Sequence, residues 1–516
     1  MSYSPSLGSS ITNTKMRNPE HISDFSGMCA VCTANCAGNC EIGLSAIRGS
    51  EAIYPYETDK NQFASEKNYP LDFSHFNING KVFGALGCAE NSYEATFPKV
   101  NINTSFGINN KIKLKAPIIL PAMAKLNWKD YYAGAALAGV LVVIGEDVVA
   151  KDKDLVLENG KVVSSPLITE MISSFREYDR GYGDIILQAN YDDENLGVLD
   201  YAIKKLGVKS VELKFGQASK GIQGMGRVKS IDDALHFQKI GYLIYPDPSN
   251  SDVAENYKKG IGQVFEKIGK LPMWNEDILV KRANELRKLG AEHICFKTGP
   301  FDPRDLITIL KVASKAGVDL VTFDGAGGGS GNSPTKMMNE WGMPTVYLES
   351  ILYDILKKLK EKNYSIPQIA IAGGFAMEDQ LYKGLSLGAP YVNLVGIGRA
   401  AMAAALVGKQ VGDLIKSGII PKEYQRFGMT VEDIFGDIGE LKGLYTDVKN
   451  ISTGAIGLYS FINRISVGLK QLMALNRKFS LEYIDRSDII PLTELAAKVT
   501  GLDTYEDLLK KGLENI

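Results

Sequence analysis

From about residue 115 onward the chain repeats one pattern. A short apolar, β-branched run is followed by a turn of glycine or polar residues, then by a segment with helical spacing. The runs are Ile118-Ile119-Leu120-Pro121, Val140-Leu141-Val142-Val143-Ile144, Ile185-Ile186-Leu187-Gln188, Val211-Glu212-Leu213-Lys214, Ile294-Cys295-Phe296-Lys297, Leu320-Val321-Thr322-Phe323, Ile369-Ala370-Ile371-Ala372 and Val392-Asn393-Leu394-Val395. Near-continuous apolar character marks strands covered on both faces, as in parallel sheets. Between them, 283–289 stops at Gly290, 303–316 stops at Gly317, and 349–360 and 378–387 repeat the 3.6-residue apolar period. A strand–helix alternation that reaches eight predicts an α/β fold, a (β/α)8 TIM barrel, over 111–415. A doubly wound open sheet shares the alternation. The count of eight, and polar glycine-rich turns that all follow strands, favour the barrel.

The flanks read differently. Residues 1–110 lack the repeat and hold a four-cysteine cluster and a hairpin signal at Asn79-Gly80, with Lys81-Val82-Phe83-Gly84 as the expected second strand. Residues 221–277 are too long for a simple strand–helix connection and require an excursion. Residues 416–516 read as a helical extension, with apolar spacing at Ile456, Leu458, Phe461, Ile462 and Ile465. The net charge of −2 and the lack of a basic block argue against nucleic acid and anionic membrane as partners. The first 25 residues are polar, without the apolar core of a secretory signal. The weakly polar stretch 385–408 contains Pro390 and Arg399 and reads as protein core rather than a membrane span. A soluble, cytoplasmic protein is the expectation.

Candidate chemistry gathers at strand ends. Asp324-Gly325-Ala326-Gly327-Gly328-Gly329-Ser330-Gly331-Asn332-Ser333-Pro334 follows the sixth run, where side-chain-free backbone can lie against a ligand. Gly373-Gly374 follows the seventh run, and Gly396-Ile397-Gly398-Arg399 the eighth. These two loops and a helix N-terminus form the usual phosphate site of such barrels. The second also matches G-x-G-x-x-A, but helix continues through the following residues, against a dinucleotide fold. Lys214 and Lys297 close the fourth and fifth runs, placed for an anion or an electron-rich ring. Glu146, in Gly145-Glu146-Asp147, follows the second. Cys29, Cys32, Cys36 and Cys40 place four thiols on one short segment, which suits an iron–sulfur cluster, of 4Fe-4S type, ahead of zinc. Cys88 and Cys295 read as small buried apolar groups. The four histidines are scattered, against a histidine-rich metal site.

The segment from Asp324 resembles the D-G-G-T-G-A-S-P type loop of the FMN-binding synthase domain of glutamate synthases. Lys214-Phe215-Gly216-Gln217-Ala218-Ser219-Lys220-Gly221 resembles that family's Q-G-A-K-P-G loop, Gly145-Glu146-Asp147 its G-E-G turn, and Pro121-Ala122-Met123 its first-strand segment. With the N-terminal cysteines and Gly454-Ala455-Ile456-Gly457-Leu458-Tyr459, the chain is similar to short single-chain glutamate synthase-like proteins.

The resemblance implies FMN and an iron–sulfur cluster, and reductive amination of 2-oxoglutarate with ammonia through a 2-imino acid. It implies catalytic roles for Lys297, Glu146, Lys214, Gln217 and Lys220. FMN would be lined by Ala122, Met123, Gln188, Lys297, Asp324, Gly325, Gly327, Gly328, Gly373, Gly374, Gly396, Gly398 and Arg399, with cluster ligands Cys29, Cys32, Cys36 and Cys40. Electrons would come from ferredoxin or an NAD(P)H-oxidising subunit, ammonia free or from a separate glutaminase; a homo-oligomer is compatible. Position 2 is Ser, so the N-terminal glutaminase cysteine is missing, and no cysteines follow the eighth run. Gly-Glu-Asp in place of G-E-G, and Gly-Gly-Gly-Ser in the loop after Asp324, leave other 2-oxo or hydroxy acids open. A non-catalytic iron–sulfur or zinc barrel is the remaining alternative.

Overall fold

The computed structural model describes residues 41–53, 69–122, 127–218, 221–228, 230–261, 265–328, 333–445, 450–514 and 516. Eight strands close a parallel barrel: β1 (Ile118–Leu120), β2 (Leu141–Ile144), β3 (Asp184–Ala189), β4 (Ser210–Lys214), β5 (His293–Thr298), β6 (Leu320–Asp324), β7 (Gln368–Ala372) and β8 (Val392–Gly396). Each of the eight apolar runs supplies one strand. They pair in chain order, and β8 returns to β1 through Val395↔Ile118 and Gly396↔Ile119.

Strand periodicity decides what fills the barrel. Ile119, Leu141, Val143, Ile186, Cys295, Leu320, Ala370 and Leu394 point inward and pack with one another. Phe106 and Leu114, from the hairpin Thr104–Phe106 and Ile112–Leu114, join them and plug the amino-terminal end. That plug is tied down by polar contacts. Gly107 N donates to Gln368 Oε1 at 2.9 Å, Ile108 N donates to Asp319 Oδ1 at 2.9 Å, and Gln368 Nε2 donates to Ser105 O at 2.8 Å. His293 begins β5 and stacks on Phe106 with ring centroids 4.7 Å apart, at the end of the barrel away from the strand C-termini.

Four helices matter below: α1 (Trp128–Ala138), α2 (Thr345–Glu361), α3 (Arg399–Lys416) and α4 (Thr453–Leu475). Helix α4, from the C-terminal extension, lies against α1 and α3, the first and last helices of the barrel. Small residues make the approach close: a methyl on Gly408 would sit 2.5 Å from Thr453 O, and one on Gly134 would sit 2.8 Å from Leu458 Cβ. The β8–β1 seam, held by two register pairs, thus has a helical clamp outside it. The excursion within 221–277 forms a three-stranded antiparallel sheet, Met225–Val228, Phe265–Ile268 and Leu243–Tyr245, with helices Ile231–Lys239 and Ser251–Lys258.

The hairpin expected at Asn79-Gly80 does not form. Phe76–Ile78 pairs instead with Ile489–Pro491, more than 400 residues away, and 81–84 forms no strand. Phe76 and Ile490 are fully buried by the distant pairing, whereas Phe83 in the local alternative stays 90% exposed. Burial of both sides outweighs the turn signal. Cys295 is buried as expected; Cys88 is half-exposed, its thiol donating to Ala89 O at 3.3 Å. Among the described residues no helix is long and apolar enough to cross a membrane.

Candidate active site at the strand C-termini

Two residues beyond the inward core positions, the same faces present the mouth of the barrel. The period of two carries Ile186 to Gln188, Glu212 to Lys214, Cys295 to Lys297, Leu320 to Thr322 and Asp324, Ala370 to Ala372, Leu394 to Gly396, and Val143 to Gly145. The mouth is therefore two-sided. Strands β3 to β6 contribute an arc of amide, carboxylate, ammonium and hydroxyl groups. Strands β7, β8 and β2 contribute side chains no larger than a methyl.

Lys214 and Lys297 are register partners, so they leave adjacent strands at one height. Both are almost fully buried. Lys214 Nζ donates to Gln217 Oε1 at 2.5 Å and pairs with Glu146. Lys297 Nζ lies 3.7 Å from Asp324 Oδ2, which also accepts from Ala218 N at 3.3 Å. Beneath the lysines, Gln188 Nε2 donates to Glu212 Oε1 at 2.5 Å. Glu212 is fully buried. Burial drives its carboxyl above the usual range, against the opposing pull of the Lys297 charge and the Gln188 bond. Thr322 Oγ1 is buried without a hydrogen-bond partner.

Glu146 is aimed by its neighbour. Asp147 adopts a left-handed φ of 62°, and its backbone N donates to Asp193 Oδ2 at 2.9 Å. Its Oδ1 accepts from Asn190 Nδ2 at 3.0 Å, and its Oδ2 pairs with Lys267 Nζ at 2.5 Å. The turn after β2 is thereby fixed to the loop after β3 and to the excursion sheet. Burial and the Asp147 charge raise the Asp193 carboxyl well above its ordinary range.

The opposite side is built from backbone. Gly373 and Gly374 have φ of 118° and 93°, a region that side chains rarely adopt. A methyl on Gly373 would lie 2.5 Å from Gly325 O, and one on Gly325 would lie 2.3 Å from Thr345 Oγ1. Thr345, at the start of α2, donates to Gly373 O at 2.7 Å and to Ala326 O at 3.3 Å, stitching the loops after β6 and β7 together. Gly327 has φ of 112°, and a methyl on Gly328 would approach Asp324 Oδ1 to 2.8 Å. After β8, a methyl on Gly396 would sit 2.7 Å from Ala372 Cβ, while Gly398 borders open space. Gly398 caps α3 without a side-chain bond, so the first-turn N–H groups lack intrahelical acceptors. The Arg399 side chain is exposed, and among the described residues no carboxylate pairs with it. Ala122 follows β1 and packs beside Gly145, whose added methyl would approach Ala122 Cβ to 3.1 Å.

The structure thus brings Glu146, Gln188, Lys214, Gln217, Lys297 and Asp324 to one side of a single mouth. Gly325, Gly327, Gly328, Gly373, Gly374, Gly396, Gly398 and Arg399 fall on loops around the same opening. Met123, Lys220 and the cysteines Cys29, Cys32, Cys36 and Cys40 lie outside the described residues, as do 329–332. Among the described residues no three His, Cys, Asp or Glu side chains gather to hold a metal ion. Sequence reasoning passed over Glu212, although it precedes Lys214 by one strand period and must share its face. It also passed over Thr345, Asn190 and Lys267, whose roles come from contacts distant in sequence.

Residues 273–408 match the family described as the conserved region in glutamate synthase, a span that begins ahead of the helix Glu276–Leu289 before β5 and ends within α3. The closed eight-stranded barrel, whose β5 to β8 the match covers, fits a glutamate synthase-like (β/α)8 domain. No curated protein matches the sequence. Among solved structures, a sulfite-bound flavocytochrome b2 variant is 14% identical with a TM-score of 0.46, covering 85% of this chain and 81% of that one. The flavin-binding domain of baker's yeast flavocytochrome b2 is 15% identical with a TM-score of 0.46 and the same coverage. (S)-Mandelate dehydrogenase, described as a monotopic membrane protein, is 12% identical with a TM-score of 0.44, covering 81% of this chain and 89% of that one.

Proposed function

We propose that this chain, whose closed barrel fits a glutamate synthase-like (β/α)8 domain, is an FMN-dependent oxidoreductase that aminates a 2-oxo acid reductively, 2-oxoglutarate by family likeness. The observation that supports this reading is the two-sided mouth: buried lysines and carboxylates on β4 to β6 face a glycine-built site after β7 and β8 that carries the exposed Arg399. The residues fit the cofactor. Gly373, Gly374 and Gly398 present side-chain-free backbone beside the N-terminus of α3, and Arg399 adds a cation that no carboxylate pairs with among the described residues, which together suit a phosphate. At Gly145, Ala372 and Gly396 the floor presents no side chain larger than a methyl to a flat ring.

The chemistry supplied by bound FMN is hydride transfer to the imine carbon of a 2-imino acid. The chain's own residues do the rest. The charges of Lys214 and Lys297 draw a dicarboxylate into the mouth and fix its carboxylate ends. Gln217, held on Lys214 Nζ, fixes the orientation of that pair. Glu146, ionised beside Lys214, takes up a proton as ammonia adds to the ketone and gives it up as water leaves. Lys297 stabilises negative charge that develops beside it. Overall, oxo acid and ammonia give imine and water; two electrons and two protons then give the amino acid. Cys29, Cys32, Cys36 and Cys40 are proposed to pass electrons singly from an external donor.

Oxidation of a hydroxy acid by such a barrel calls for a base at a strand C-terminus. Among the described residues no histidine occupies such a position, and His293 lies at the opposite end. The test is to mix anaerobically reduced protein with 2-oxoglutarate and ammonium. Reoxidation with glutamate formed in equal amount is expected. Reoxidation by neither together, with a working electron donor, overturns the substrate assignment.

A further inference from the structure

One pair in the mouth has a hydrogen-bond deficit that one proton repairs. Gln188 Nε2 donates to Glu212 Oε1, yet among the described residues Gln188 Oε1 and Glu212 Oε2 are both buried without partners. These two oxygens belong to the same two planar groups. An amide and an ionised carboxylate can share only one bond, because two acceptor oxygens remain. An amide and a carboxylic acid can share two, the acid O–H donating to the amide oxygen. One proton on Glu212 Oε2 therefore supplies a donor for the one oxygen and a partner for the other. Buried polar groups are nearly always satisfied, so this deficit is informative.

The charge count agrees. The groups that act on Glu212 are Gln188 on β3, Lys214 on its own strand, Lys297 on β5 and Glu146 from the turn after β2, with Cys295 its register partner on β5. Lys214 and Lys297 are already matched in number by Glu146 and Asp324. An ionised Glu212 would add a third negative charge at a position with no solvent exposure.

We propose that Glu212 and Gln188 form a neutral acid–amide pair at neutral pH, which positions the layer beneath Lys214 and Lys297 and leaves these lysines and their two carboxylates balanced, with no third negative charge. Glu212 is on this view a positioning residue: it sets the net charge that an anionic ligand meets at the lysines. The pair itself rests on the contacts above; its consequence for a dicarboxylate or an anionic ring rests on the proposed function.

Infrared spectroscopy of the purified protein in D2O at neutral pH tests the pair without any ligand. The wild-type minus Glu212→Gln difference spectrum is expected to show one protonated-carboxyl stretching band. Bands from other buried acids, such as Glu349, cancel in that difference. A difference spectrum showing a carboxylate band in place of the acid band overturns the proposal. Should Glu212→Gln fail to fold, Gln188→Leu serves: the acid band should move to higher frequency as its acceptor is lost, and an unmoved band overturns the pairing. With flavin-loaded protein and glutarate as probe, wild-type affinity should fall as pH rises through the ionisation of Glu212, while Glu212→Gln holds a flat profile. Glutarate binding that Glu212→Gln tightens tenfold at neutral pH would show an ionised Glu212 and refute the proposal. Failure of glutarate to bind either protein would count against the dicarboxylate site, and the infrared result would still decide the pair.

Discussion

Arg399→Ala separates a phosphate site from an ordinary helix start. Arg399 is the first residue of α3, its side chain is exposed, and among the described residues it has no carboxylate partner. Alanine is at least as good a helix former, so the folded chain should lose less than about 0.5 kcal/mol. A charge-assisted bond from guanidinium to phosphate contributes about 1.5–3 kcal/mol. At about 1.4 kcal/mol per tenfold, FMN affinity should fall roughly 10- to 150-fold. The assay is fluorescence titration of FMN into deflavinated protein, with melting temperature measured in parallel. Riboflavin, which lacks the phosphate, is the internal control and should bind wild type and variant alike. Unchanged FMN affinity in Arg399→Ala, or equal losses for FMN and riboflavin, would remove Arg399 from phosphate binding and with it the reading of the loop after β8.

Three further outcomes follow from the packing and the charges. Gly325→Ala places a methyl 2.3 Å from Thr345 Oγ1 and 2.6 Å from its Cα, so it should destabilise the fold by about 1–3 kcal/mol in denaturant titration; an unshifted midpoint contradicts the close approach. Lys214→Met removes the ammonium paired with Glu146 and should raise the apparent pKa of any Glu146-dependent step; an unchanged pH–rate profile would detach Glu146 from the chemistry. Glu349, on α2, is fully buried with both carboxyl oxygens unpartnered, and burial raises its carboxyl well above the ordinary range despite Arg486 nearby. A raised folded pKa means the native state holds the proton more tightly. Its stability contribution is therefore complete below the unfolded value, about 4.3, and is lost as pH rises toward the folded one. Glu349→Gln should match wild type at low pH and melt higher at pH 8; parallel melting curves across pH would refute this.

The barrel was legible because its signal is local and repeated. Each apolar run needs only its own residues to read as a doubly covered strand, and eight of them in order leave few architectures. The lysine pair was legible for the same reason: Lys214 and Lys297 close such runs, and barrel strands aim their ends at one mouth. What escaped depends on residues far apart in the chain. Phe76–Ile78 chose Ile489–Pro491 over the adjacent turn, and no local pattern encodes that distant partner. Thr345 stitches two loops through a hydroxyl at a helix start that looks like any other. Lys267 reaches Asp147 from a sheet whose fold the sequence indicated only as an excess of length. Glu212 was within reach of the period-two argument, since any residue two before Lys214 shares its face. The small floor of Gly145, Ala372 and Gly396 emerges only once the strands are placed side by side.

The central claim is that this mouth reduces an imine formed from a 2-oxo acid and ammonia. Its most direct test is to reduce the flavin-loaded protein without oxygen, mix it rapidly with 2-oxoglutarate and ammonium together, and follow flavin absorbance while assaying amino acid. The account predicts reoxidation only when both are present, with one glutamate formed per flavin reoxidised. A purified protein that binds no flavin, or a reduced flavin that neither this pair nor another 2-oxo acid with ammonium reoxidises, would contradict it.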